Sequence, residues 1–184
     1  QVHAGAMVSK GDSGFGNKFR VAGMQISRNS GYLNFGSVMA TENGTQVTIT
    51  VPAGQDFISP VSGPITILLN KGESYVVAAN NQRNSTRNGT IGTLFESNKP
   101  VVVNSGGIGS VSQVGDPGGN SGGFDYGIDQ IVSAEKTGNE YIFIEGGGRN
   151  SWENVLLIAD QNNTSIKING NPYSDSSGAT VMNE

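Results

Sequence analysis

The 184-residue chain carries 11 Lys and Arg against 15 Asp and Glu, a formal net charge of −4, and no cysteine. A disulfide framework and a Cys-ligated metal are thereby excluded, and without a basic stripe a nucleic-acid partner is disfavoured. Apolar residues make up 35% and charged residues 14%, with 28 Gly, which suits many short strands joined by many turns rather than packed helices.

The length fits one domain with a real core, or part of a larger one. An acidic, cysteine-free chain rich in Asn, Gly and Thr points to a bacterial surface protein. No apolar run reaches the ~18 residues of a spanning helix, and no leader peptide is visible. Gln1 at the start points to a processing point or an artificial boundary, and Ala179 to Glu184 reads as a strand cut at its end.

Residues 1–15 are Gly- and Ser-rich with little periodicity and read as a loop segment. Phe19 to Gln25 alternates and predicts a strand, and Ser27 to Gly31 a polar turn. The chain then says one thing twice. Ala40 to Ile49 reads A-T-E-N-G-T-Q-V-T-I, and Ala159 to Ile168 reads A-D-Q-N-N-T-S-I-K-I. Each has an Asn-Gly or Asn-Asn corner, a Thr and then period-two apolar residues, so each predicts a β-hairpin. Ile65 to Leu69 and Tyr75 to Ala79 read as strands around the turn at Asn70 to Glu73. Thr90 to Glu96 and Pro100 to Asn104 read as a strand pair around Ser97 to Lys99. Val101 to Val103 is a continuous apolar run, as in a strand buried on both faces.

Residues 105–124 are nearly all Gly, Ser, Asn and Pro and read as a long loop, a type that is functional or disordered. Then the pattern restarts. Gly138-Asn-Glu-Tyr141 answers Gly16-Asn-Lys-Phe19, Tyr141 to Ile144 predicts a strand, and Val155 leads into the second hairpin. Asp129 to Lys136 allows at most one or two helical turns. The predicted fold is all-β and antiparallel, with tandem sheet units (propeller-blade-like or sandwich) and no significant helix. Residues 16–184 form one β domain: a full sheet repeat (16–106), the Gly-rich loop (105–124) and a partial second repeat (125–184), a candidate fragment of a larger array.

Several short motifs reduce to turns. Gly11-Asp-Ser-Gly14 echoes a serine-protease nucleophile, but the only His is His3, with no packing to position it. Gly14-Phe-Gly16 and Gly107-Ile-Gly109 lack the third Gly and the helix that a phosphate cradle needs. Five Asn-x-Ser/Thr sequons coincide with predicted turns. Asp116, Asn120, Asp125 and Asp129 are weak candidates for a calcium site, since calcium accepts flexible oxygen ligation, though their spacing matches no calcium loop. Trp152, beside Arg149, is a loop aromatic of the type that stacks on sugars or anchors a protein contact.

The order of these pieces resembles a known family. Pro100-Val-Val-Val-Asn-Ser-Gly106 is similar to its P-V-x-V-x-S-G, and Asp125-Tyr-Gly-Ile-Asp-Gln-Ile-Val132 to its D-H-L-x-E-Q-L-P. Gly138-Asn-Glu-Tyr-Ile142 resembles its G-x-x-Y-x-V, Asp160-Gln-Asn-Asn-Thr-Ser-Ile166 its A-x-x-D-x-T-x-V, and Gly72-Glu-Ser-Tyr-Val76 its G-E-x-Y-x. The family is the N-terminal domain of IgGFc-binding proteins, which also occurs in bacterial surface adhesins of the SprB gliding-motility type. Phe124 replaces the family's Cys, Tyr126 its His and Val132 its Pro. These departures favour a bacterial surface homologue over an Fc binder.

The resemblance implies a non-catalytic, extracellular binding or adhesion module of a large bacterial surface protein, with gliding motility as the candidate setting. Its partners would be a protein or glycan on a surface and the cell's own secretion or surface machinery, with no nucleic acid and no insertion into a membrane. The binding candidates are Trp152, Arg149, Asp125 and Tyr126. No cofactor is expected, calcium excepted. A ligand-free structural spacer is the alternative, and a hydrolase ranks below both.

Overall fold

The computed structural model describes residues 7–23, 33–55, 57–58, 63–80, 89–110, 125–144, 155–175, 177 and 179–182. Seven strands form one antiparallel sheet: β1 (Phe15–Arg20), β2 (Leu33–Ala40), β3 (Thr45–Thr50), β4 (Ile65–Leu69), β5 (Ser74–Ala78), β6 (Leu94–Ser110) and β7 (Asp125–Gln130). Single 3-10 turns at Gly11–Gly14 and Ala134–Lys136 are the only helical pieces among the described residues. The remaining strands are two-residue pairs: β8 (Thr164–Ser165) with β11 (Val181–Met182), and β9 (Lys167–Ile168) with β10 (Asn171–Pro172). The all-β, antiparallel reading holds.

The long strand β6 organises the sheet. On one side its first part pairs with β3, Phe95 opposite Ile49, and its second part with β2, Val103 opposite Val38. On the other side β1 and then β7 pair with it. Because β2 and β3 both run antiparallel to β6, they run in one direction and do not form a hairpin. The same holds for β4 and β5, which pair with β3 and β2 respectively. The predicted hairpin at Ala40–Ile49 is therefore a corner in a continuing path. Its flanks are claimed by neighbours: Gly72 N donates to Ala40 O at 2.8 Å, and Thr45 pairs with Leu69. Long-range ladder bonds here outcompete the local hairpin. Likewise the predicted strand pair around Ser97–Lys99 is one strand. No residue there takes the positive φ that a tight hairpin turn needs.

The bends line up into a crease across the sheet. Residues 41–46 stand against 98–100, residues 70–73 against 40–44, and β1 shifts register at Asn17. One Asn per path stitches this line. Asn43 Oδ1 accepts from Lys71 N (3.0 Å), Asn70 Oδ1 from Gly44 N (3.4 Å) and Asn98 Oδ1 from Gln46 N (2.8 Å), while Asn17 Nδ2 donates to Ser97 O (2.9 Å). Where ladders break, backbone groups still need partners, and a short amide supplies them. The bend at Gly44 takes φ +65°, a left-handed conformation costly for a side chain with Cβ.

Folding at the crease brings the two halves of the sheet face to face. Ser105, the partner of Gly36, and Phe95 are about ten residues apart on β6 and would sit about 33 Å apart in a straight strand. Yet a Cβ on Gly36 would lie 2.8 Å from Val21 Cγ2 and 3.2 Å from the Phe95 ring. The sheet thus curls into a half-barrel, as bends and bulges allow. Its concave side holds Phe19, Val21, Val38, Val47, Ile49, Val77, Phe95, Val101 and Val103, all buried. Each such side chain contributes on the order of 1.5–3 kcal/mol. Along β3 the inward Val47 and Ile49 alternate with the more exposed Gln46, Thr48 and Thr50.

Two further expectations change. The predicted 105–124 loop loses its first part, because β6 runs on to Ser110. Tyr141 to Ile144 does not join a ladder, and Ile142 and Ile144 are 86% and 89% exposed.

Candidate binding surface on the β6–β7 ribbon

β6 and β7 form the ribbon from which residues 111–124 depart. Their register sets Tyr126 opposite Ile108, Gly127 opposite Gly107 and Asp129 opposite Ser105. Tyr126 is 47% exposed and Ile108 36%, so an aromatic and an aliphatic side chain share a cross-strand site open to solvent. Such a pair combines an apolar body with a hydrogen-bonding tip, the chemistry enriched at protein and sugar contacts.

The base of the ribbon is anchored, which gives the surface a rigid seat. Lys10 N donates to Gln130 Oε1 at 2.7 Å, and Lys10 Nζ pairs with Asp129 Oδ2 at 2.9 Å. Gln130 is buried under Gly14, where a Cβ would collide with its amide. Beyond β7, Ile131 N donates to Val103 O. Ser133, fully buried, sits 3.2 Å from Lys18 O and 2.9 Å from Glu135 Oε2, which also accepts from Asn17 N.

The residues nominated by sequence divide accordingly. Tyr126 lies in the exposed pair, and Asp125 precedes it, paired through its backbone with Ser110. Asp129 is on the same strand, but period-two alternation puts it on the other face, against Lys10. Trp152, Arg149, Asp116 and Asn120 lie outside the described residues. Among the described residues no three His, Cys, Asp or Glu side chains gather as a cation site. Sequence reasoning missed Ile108, because Gly-rich neighbours made it read as loop. The continuation of the strand's period two was the available signal, since it puts Ile108 on the face of Val102 and Asn104, opposite the inward Val101, Val103 and Ser105. The Gly11–Gly14 motif is a 3-10 turn whose Ser13 Oγ donates to Lys10 O at 2.6 Å.

The repeated decapeptide is real at the level of the backbone. Thr45 Oγ1 donates to Glu42 O at 2.8 Å, and Thr164 Oγ1 donates to Gln161 O at 2.7 Å. Gly44 and Asn163 take φ of +65° and +60°, and Ala40 and Ala159 are both buried. The second corner is tied to the first unit by Asp160, which meets Lys18 Nζ at 2.9 Å and Arg20 Nε at 3.3 Å.

A family model described as IgGFc binding protein matches residues 4–183, spanning every strand from β1 to β11. The chain belongs to the IgGFc-binding protein family. No curated protein and no solved structure matches it. The IgGFc-binding family is one of binding modules, and the β6–β7 ribbon exposes an aromatic and an aliphatic side chain opposite one another. No helix among the described residues is long and apolar enough to cross a membrane.

Proposed function

We propose that this IgGFc-binding domain is a non-catalytic adhesion module on the outside of a bacterial cell, part of a large surface protein, with gliding motility as its setting. It binds a protein or glycan through the β6–β7 ribbon. The observation carrying this reading is the family match over both units, joined to an anchored ribbon that presents Tyr126 and Ile108 to solvent. Scarce charge with abundant Asn, Ser and Thr fits a wet, polar contact around an aromatic anchor. Trp152, Arg149 and Asp125 are proposed as further binding residues.

The test is surface retention and glycan- or protein-array binding of the intact chain against Tyr126→Ala, Trp152→Ala and Arg149→Ala. An anchor lost from such a contact weakens binding by about tenfold or more. Binding unchanged in all three variants removes this surface from the reading, and no retention on any surface leaves the spacer. The module is proposed to act without a cofactor. A thermal midpoint that rises on adding calcium would bring Asp116, Asn120, Asp125 and Asp129 back as ligands.

A further inference from the structure

The second unit repeats the first at its corner, and the repeat extends to the hydrogen-bond register of one strand pair. In the first unit Thr45 pairs with Leu69, and Gln46 with Leu68. In the second, Thr164 pairs with Met182, and Ser165 with Val181. β8 and β11 therefore stand for β3 and β4. The sequence match sets Tyr141 in the place of Phe19, and Val155, Leu157 and Ala159 in those of Gly36, Val38 and Ala40. In the first unit all these places pair with β6. In the second unit, among the described residues, that strand has no counterpart.

The consequences are visible at Tyr141, Val155 and Leu157, while Ala159 is buried as Ala40 is. Phe19 and Val38 are fully buried, whereas Tyr141 is 58% exposed and Leu157 41%. A cavity of about 270 Å³ opens between Val155, Leu157, Ile166, Tyr173, Val181 and Met182. Leu157 and Ile166 stand where Val38 and Val47 fill the first core. Apolar residues in segments that join no ladder among the described residues make a template for one more strand.

We propose that this groove is the seat of a long strand of the β6 kind, carried further along the same polypeptide in the order the first unit follows. The occupant is defined by its chemistry. An aromatic or large aliphatic residue lies between Tyr141 and Ile168, as Phe95 lies between Phe19 and Ile49. Two inward β-branched residues meet Leu157 and Ala159, as Val103 and Val101 meet Val38 and Ala40. Between them a short polar bend ending in Pro crosses the second corner, where Asn162 holds the place of Asn43. In the first unit that Asn43 carbonyl accepts from Lys99 Nζ. The source in the same polypeptide follows from the first unit, where β6 comes after β4 and β5.

Hydrogen exchange on the intact chain, with and without an excess of a synthetic peptide of residues 94–110, tests the groove. Exchange at 141–144 and 155–159 is expected to slow by about tenfold or more, with 33–40 unchanged and the effect absent in Leu157→Asp. No slowing there, slowing confined to 33–40, slowing that survives Leu157→Asp, or full protection of both segments without peptide each overturns the proposal. Sequencing the coding region beyond Glu184 tests the source: a strand patterned like Phe95–Gly106 is expected, and its absence there overturns the same-polypeptide origin. Array binding through Tyr126 is a separate readout, so the two proposals fail independently.

Discussion

The corners at Ala40–Thr45 and Ala159–Thr164 have the same Thr hydroxyl bond, a left-handed residue at the same place and a buried Ala, yet their surroundings differ. The first lies on a crease beside β6, with the sheet folded over it. The second carries flanking strands of two residues and exposed apolar neighbours. The contrast separates two causes. A corner's shape is a local matter of a Thr hydroxyl and a residue tolerant of positive φ. Its burial depends on a distant strand that pairs with both of its arms. A few residues specify the first, and only the whole sheet supplies the second.

The sharpest way to break the comparison is at matched core places. Phe95→Ala should cost about 3–5 kcal/mol in urea unfolding, since the ring is fully buried between Phe19 and Ile49. Tyr141→Ala, at the exposed counterpart of Phe19, should stay within about 0.5 kcal/mol. Equal costs would mean that the second unit is closed in solution.

Next is the close approach of the two sheet halves. Gly36→Ala should destabilise by about 1–3 kcal/mol, because the new methyl meets Val21 and Phe95. The matching Val155 already carries a side chain and is 52% exposed, so Val155→Ala should change stability by no more than about 0.5 kcal/mol. Thermal midpoints of the two variants measured side by side decide it.

Smaller effects probe the corners. Gly44→Ala is expected to cost about 1 kcal/mol through its φ of +65°. Smallest is Asp160→Asn, which removes the ion pairs to Lys18 and Arg20. A loss of about 1 kcal/mol or less is expected, shrinking as salt is raised. A loss that ignores salt would assign Asp160 a hydrogen-bonding role instead.

Much of the fold was legible because period-two patterning is local. Val47 and Ile49 were inward from their spacing alone, and Asn70 to Glu73 was a bend from its composition. The pairing was not legible. Asn43-Gly44 has the chemistry of a hairpin turn, and only the competing bonds from Gly72 and Leu69 make it a through-going corner. The Ser97–Lys99 stretch misled for the same reason, since a polar bulge inside a long strand has the composition of a turn. At the candidate surface, Tyr126 was read as a loop residue and the structure places it in β7, whereas Ile108 was hidden. Gly106 and Gly107 read as loop, but in the sheet they leave room for β7: a Cβ on Gly106 would meet the Gly127 carbonyl and the Phe35 ring.

The sequence by itself determined the all-β class, the repeated corner and the family, because composition, alternation and motif order are properties of neighbours along the chain. Tertiary structure decided that the repeats are corners, that four asparagines align as a crease, and that β6 joins every strand of the first unit except its two outer ones. Strand pairing depends on which segments meet across dozens of residues, and that meeting is won by the burial of a whole concave face rather than by any one turn.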